Sequence, residues 1–318
     1  PLFVELKGHT GSVLSVAIDP SGSRLVSGSN DFHARFWDFA GMMSDYRSFR
    51  SKEIEEGHPI LDIRWNATGS EFLVSSASLN AKIFNRDGIM SCEFMKGDPY
   101  ILDMQHTKGH VATICSVSWD CENYDRFVTA SADSTARIWD VSRKDGQVHL
   151  IKAKNQKNTR VQITTMNTSP WDSTKNIIAA GCMDGSIQVW PMNGPYRLPS
   201  AIIRSAHQNF SEISDIQISK DGNLLVSRGG DDTLKFWDLR NSSRPLAAFS
   251  GLENVFQQTN SCFSADERIV VTGTSVRPGY GFGKLKFFDT EGSIEEVHEI
   301  PVCENSVISV AGHEKLNQ

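Results

Sequence analysis

From residue 13 to residue 38, apolar and polar positions alternate in three short bursts. Val13-Leu14-Ser15-Val16-Ala17-Ile18 runs into Asp19-Pro20-Ser21-Gly22, a second burst covers Leu25 to Ser29, and a third follows Asn30-Asp31 and ends at Phe36-Trp37-Asp38. Alternation with a period of two predicts half-buried strands, and the Pro/Ser/Gly and Asn-Asp interruptions predict tight turns. The stretch therefore reads as an antiparallel meander. One such sheet cannot bury both of its faces alone, so repetition is the first thing to test.

It repeats. Trp-Asp or its remnants close a third strand at Trp37-Asp38, Phe84-Asn85, Trp139-Asp140, Trp190-Pro191, Trp237-Asp238 and Phe288-Asp289, at intervals of about 47 to 55 residues. Gly57-His58, Gly109-His110 and the degenerate Ala206-His207 stand upstream, as Gly8-His9 does for the first unit. The pattern resembles that of WD-repeat propellers, whose period is about 40 to 45 residues. It implies an all-β, seven-bladed propeller formed as a single domain over residues 1–318. The expected blades cover 8–50, 57–95, 109–152, 159–192, 207–249 and 259–300, with a partial seventh over 306–318.

Pro1 to Leu6 is a lone alternating strand, expected to complete the last blade so that no sheet edge stays open. Outer strands are expected near Arg47 to Arg50, Ser91 to Met95, Val148 to Ile151 and Pro245 to Phe249. Ser306 to Val310 reads as the first strand of blade seven, with no third strand before Gln318. Because the sequence starts at Pro1, it is expected to be a portion of a longer protein whose complete ring is closed.

Composition narrows the function classes. Hydrophobic content of 39% and charged content of 22% suit a packed protein. No apolar run nears the roughly 20 residues of a membrane span, so no membrane association is expected. The net charge of −6 argues against a surface that is wholly a nucleic-acid footprint. Six cysteines without a CxxC pair read as reduced thiols on strands.

His9, Ser27, Asp31 and Trp37 look like a catalytic set until the repeat is noticed. The same residue types recur as His110, Thr129, Asp133, Trp139 and as His207, Ser227, Asp231, Trp237. An active site does not recur blade by blade. In WD-repeat proteins these positions form buried hydrogen-bond chains, in which loop Asp holds His, His holds the strand hydroxyl, and the hydroxyl receives the indole N–H. No enzyme activity, cofactor, metal or small-molecule substrate is expected: the histidines form neither HExxH nor a Cys/His cluster, and Gly279 to Lys284 leads into a strand where a phosphate loop needs a helix.

Two features point to partners. Lys152, Lys154, Lys157 and Arg160 make the densest positive run in the chain, read as a solvated loop or, more sharply, as a contact with phosphate, RNA or an acidic partner. Trp237-Asp238-Leu239-Arg240 matches the WDxR motif by which many WD-repeat proteins dock onto the adaptor of cullin-4 ubiquitin ligases, the plain alternative being an ordinary surface arginine. Lys96 to Met104 is a long connection, where function tends to sit.

Several stretches go beyond the repeat: Phe36 to Met42, Lys96-Gly97-Asp98 with Thr107 to His110, Ser227 to Asp232, Val271 to Val276 and Lys315 to Gln318. They resemble the nuclear WD-repeat family named after gastrulation defective protein 1. That resemblance implies a nuclear, non-enzymatic scaffold of large protein assemblies. It connects the chain with cullin-4 ligases, histone H2B ubiquitylation and the DNA-damage response, and alternatively with the late, intron-lariat spliceosome.

Overall fold

The structure is a computed structural model that describes residues 4–43, 45–101, 103–208, 210–277, 279 and 281–313. Among them all regular structure is β, in six four-stranded antiparallel sheets. Blade one holds β1 (Val13–Ile18), β2 (Arg24–Ser29), β3 (His33–Asp38) and β4 (Arg50–Glu53). Blade two holds β5 (Ile60–Trp65), β6 (Glu71–Ser76), β7 (Lys82–Asn85) and β8 (Met90–Glu93). Blades three and four comprise β9 (Ile114–Trp119), β10 (Arg126–Ser131), β11 (Thr135–Asp140), β12 (His149–Lys152), and β13 (Ile163–Thr168), β14 (Ile177–Cys182), β15 (Ile187–Pro191), β16 (Ala201–Ile203). Blades five and six comprise β17 (Ile213–Ile218), β18 (Leu224–Gly229), β19 (Leu234–Asp238), β20 (Ala247–Phe249), and β21 (Ser261–Phe263), β22 (Ile269–Gly273), β23 (Gly283–Asp289), β24 (Glu295–Cys303).

Within each blade the strands pair in chain order, and the innermost strands contact one another from blade to blade. The alternation read from the sequence explains the core, because from blade one to blade six facing sheets pack their apolar faces on one another. Between blades one and two, Phe72 sits 5.8 Å from Phe36 and 5.7 Å from Phe84 by ring centroids, and all three are buried. Burying each such side chain is worth about 1.5–3 kcal/mol, so the blade interfaces supply most of the cohesion.

Innermost strands are also joined by polar staples. The Ser15 hydroxyl accepts the Ile63 amide at 3.0 Å, Asp62 accepts the Val117 amide at 3.2 Å, and Asp215 accepts the Ser261 amide at 2.8 Å. A bulge just before Ser15, Asp62 and Asp215 sharpens the local twist of each strand. Arg64 pairs with Asp62 at 3.2 Å in the central channel.

Several expected boundaries shift. The outer strand of blade one is Arg50–Glu53 rather than Arg47 to Arg50: its polar Arg-Ser-Lys-Glu run hides it from an apolar-pattern reading, and pairing of His33 with Glu53 sets its register. The other expected outer strands begin or end one or two residues from expectation. Val4 to Leu6 form no strand, and the first three residues of the expected closing strand lie outside the described residues. Ser306 to Val310 is not a regular strand either. It nonetheless lies between blades six and one: the Asn260 amide donates to Ile308 O at 3.1 Å, and the Val16 amide donates to the Ser309 hydroxyl at 3.1 Å. Part of the Ser275 to Gly283 insertion, and the stretch from Glu314 to Gln318, lie outside the described residues.

Candidate interaction surfaces

Three hydrogen-bond chains run through blades one, three and five. His9 Nδ1 is 3.0 Å from Asp31 and its Nε2 is 2.8 Å from Ser27 Oγ, which receives Trp37 Nε1–H at 3.1 Å. His110 lies 2.9 Å from Asp133 and 2.7 Å from Thr129, which receives the Trp139 indole at 2.8 Å. His207 lies 2.8 Å from both Asp231 and Ser227, with the Trp237 indole 2.9 Å from Ser227. One proton arrangement satisfies every atom: Nδ1–H donates to the carboxylate, the hydroxyl donates to Nε2, and the indole donates to the hydroxyl.

The electrostatics agree with a neutral imidazole. Burial pushes the His110 pKa down against the opposing pull of Asp133, and burial lowers His9 likewise. Burial would raise the Asp133 and Asp31 carboxyls, but the bonds they accept from histidine and from neighbouring groups outweigh it and hold both at about 2. The hydroxyls are buried, and each is occupied at both ends. A nucleophile needs an exposed oxygen and an oxyanion hole, so these sets rigidify the blades and offer no reaction centre.

Blades two and four differ. Phe84 has no indole N–H to satisfy, and blade two instead joins Glu55 to Ser76 at 2.9 Å and to Lys82 at 3.1 Å. Sequence reading passed over this trio because His58, the apparent counterpart of His9, only meets the Glu56 carbonyl. It also passed over Arg137. This arginine is fully buried on β11 and donates to Thr107 O at 3.0 Å and Thr107 Oγ1 at 2.8 Å, fastening the long connection before His110. Its signal is a guanidinium between the apolar Ala136 and Ile138 in the middle of the strand. Gly97 and Gly109 pack backbone to backbone beside it, where an added Cβ would sit 2.2 and 2.0 Å from a carbonyl oxygen.

The partner-facing candidates separate to opposite ends of the ring. In an antiparallel four-stranded blade, the loop between third and fourth strands lies at one end and the passage to the next blade at the other. Arg240, in the loop after β19, is two-thirds exposed, and its Nε and Nη2 fork onto Asp238 at 3.0 and 2.9 Å. At the other end, backbone pairing of Lys154 with Arg160 makes a small hairpin, with Asn155 Oδ1 accepting the Lys157 and Thr159 amides. Lys154, Lys157 and Arg160 are exposed on this hairpin, Lys157 in its turn and the other two at its base. Lys152 stands apart, half-buried in β12 and 3.6 Å from Asp103.

With this geometry, comparison settles the family. A model of the WD domain, G-beta repeat, matches residues 1–38, 103–140, 155–191 and 200–238. The chain is a WD-repeat protein. Over 99% of its length it is 43% identical to WD repeat-containing protein 70 of Xenopus tropicalis, covering 50% of that protein. It is 42% identical over the same share to the Gastrulation defective protein 1 homolog of Drosophila melanogaster, covering 48% of it, and 41% identical to human WD repeat-containing protein 70, covering 47%. The resemblance read from Phe36 to Met42 and its companion stretches is borne out along the whole chain. This WD-repeat chain spans about half the length of the curated relatives it matches. Blades two and six, which end in Phe84-Asn85 and Phe288-Asp289, fall outside the matched repeats yet keep the four-stranded sheet.

Proposed function

We propose that this WD-repeat propeller is a non-enzymatic nuclear scaffold that binds protein partners and acts as a substrate receptor of a cullin-4 ubiquitin ligase, in chromatin ubiquitylation and the DNA-damage response. The observation that carries the reading is Arg240. Its fork is pre-set by Asp238, so a docking partner meets an ordered guanidinium rather than one of many rotamers. The Arg240→Ala protein should lose the ligase adaptor from nuclear affinity purifications while keeping its fold. Retention of the adaptor would remove this reading.

A second reading, a structural subunit of the late spliceosome, draws on the exposed hairpin that carries Lys154, Lys157 and Arg160. Its position at the end opposite Arg240 lets both readings hold in one molecule. Reversing those three charges should then release spliceosomal particles selectively.

We also propose a seven-bladed ring. Val16, Ile18 and Leu25 of blade one, and Val271 and Phe287 of blade six, are only half-buried, whereas Ile63, Phe72, Val117 and Phe127 at the positions matching Val16 and Leu25 are sealed. Ser306 to Val310 lies between those two faces, where a seventh innermost strand would run. A structure of the full-length protein tests this: strands packed against both faces are expected, and direct packing of blade six on blade one would exclude it.

A further inference from the structure

At the end of the ring that carries Arg240, but at blades one and two, the outer strands leave a groove of unusual composition. Phe36, Arg50 and Lys52 share the face of blade one that looks at blade two, since Phe36 pairs with Arg50 and Ala34 with Lys52. Across from them Met90 pairs with Phe84 on the face of blade two that looks back. The turn Asp87-Gly88-Ile89 closes the groove, with Gly88 so near Phe36 that a Cβ would meet the ring at 2.7 Å. Phe49, Ile89 and Met90 are each about half exposed, at 48, 57 and 47%. Large apolar side chains gathered with arginine are the composition of protein interfaces rather than of free surface.

The cations in this groove are ordered without being neutralised. Arg50 donates to Asp87 O, and Lys52 donates to Gly88 O at 3.2 Å while lying 4.9 Å from the Phe84 ring centroid. Among the described residues neither has a carboxylate partner. The nearby Asp87 carboxylate is bonded to Arg24 at 2.8 Å and meets Arg50 only through its longer-range charge. Arg24 also caps Phe49, at 5.3 Å from its centroid. Burial pushes the Lys52 pKa down, and the Arg50 and Lys82 charges lower it further.

We infer that the groove between the outer strands of blades one and two docks an acidic, apolar segment of a partner protein, its carboxylates on Arg50 and Lys52 and its apolar side chains against Phe49, Ile89 and Met90. Charge complementarity selects a peptide over RNA. A single-stranded nucleic acid needs open aromatic faces for its bases, and here Arg24 occupies one face of Phe49, the sole exposed aromatic of the three, while Ile89 and Met90 are not aromatic. A strand with one charge per phosphate also meets the repulsion of the whole acidic chain, which a short segment with a few carboxylates feels less. The inference is independent of the Arg240 reading.

The test is fluorescence polarisation of a labelled twelve-residue peptide alternating Glu with Leu and Phe, titrated with the full-length protein. Binding should weaken as salt rises and fall by about tenfold or more in Arg50→Glu and in Met90→Glu. Leu198→Glu, an isolated exposed leucine at the same end, serves as the control and should bind as the unaltered protein does. Both groove substitutions lie at the surface, and an unchanged melting temperature checks folding. Absence of peptide binding, equal binding by Arg50→Glu, equal binding of a peptide with Lys in place of Glu, or displacement of the peptide by oligouridine would each overturn the inference.

Discussion

The Ser309 hydroxyl accepts the Val16 amide at 3.1 Å, joining positions 293 residues apart. Ser15 does the same for Ile63 one blade later. The two bonds are equivalent staples, one between neighbouring blades and one between a segment without regular strand structure and blade one. Each buried amide left without its acceptor costs about 1–3 kcal/mol. Ser309→Ala and Ser15→Ala in the full-length protein should therefore lower the urea midpoint by similar amounts. A midpoint moved only by Ser15→Ala would mean that the terminal segment does not act as an innermost strand.

Thr129 joins one donor and one acceptor at once. Thr129→Val keeps the shape of the side chain but strips the Trp139 indole and His110 Nε2 of their partner. With two buried groups orphaned, the loss should reach about 2–4 kcal/mol, read as a fall in denaturant midpoint. Ser142→Ala, on an exposed turn that only meets Asp140, should stay within about 0.5 kcal/mol.

Acid should weaken the ring in two stages of the same sign. Burial lowers the His110 and His9 pKa values in the folded state, so the unfolded chain takes up these protons first as pH drops below about 6.5. Their contribution is complete above that value and is lost below it. Asp31 and Asp133, held at about 2, contribute fully above about pH 4 and lose their contribution as pH falls towards 2. Urea midpoints measured from pH 7.5 to 4 should decline steadily, and His110→Asn should flatten the slope between pH 7 and 5. A midpoint that rises on acidification contradicts the neutral-imidazole assignment.

The repeat was legible because its physics is local. Period-two alternation, the Asp19 to Gly22 turn and a terminal Trp-Asp each arise within one blade, so blades one, three and five could be read residue by residue, including which hydroxyl meets which histidine. What stayed hidden arises between elements. Arg50-Ser-Lys-Glu carries no apolar period and pairs because β3 offers an edge. Arg137 reads as a surface cation until the Thr107 carbonyl arrives from 30 residues away. Ser306 to Val310 alternates like a strand, but alternation without paired neighbours does not yield ladder hydrogen bonds, and the segment stays irregular. Grouping Lys152 with Lys154, Lys157 and Arg160 followed sequence adjacency, whereas a strand residue and a hairpin face different surroundings.

Arg137 should govern the long connection more than the core. Arg137→Met keeps much of the buried volume but leaves Thr107 without its guanidinium donors. Amides of residues 103–108 should lose hydrogen-exchange protection, while those of β10 and β14 keep theirs. Uniform loss across the blade would show that the arginine holds the sheet itself and not its connection.

Arg240 bears the central claim. Full-length protein and its Arg240→Ala and Arg240→Lys forms, purified from nuclei with their partners and quantified by mass spectrometry, give the most direct reading. The account predicts that the cullin-4 adaptor is the dominant partner, is lost with alanine, and is not restored by lysine, which keeps the charge but not the fork. An adaptor that persists with alanine, or a partner set dominated by spliceosomal proteins and indifferent to Arg240, would contradict it.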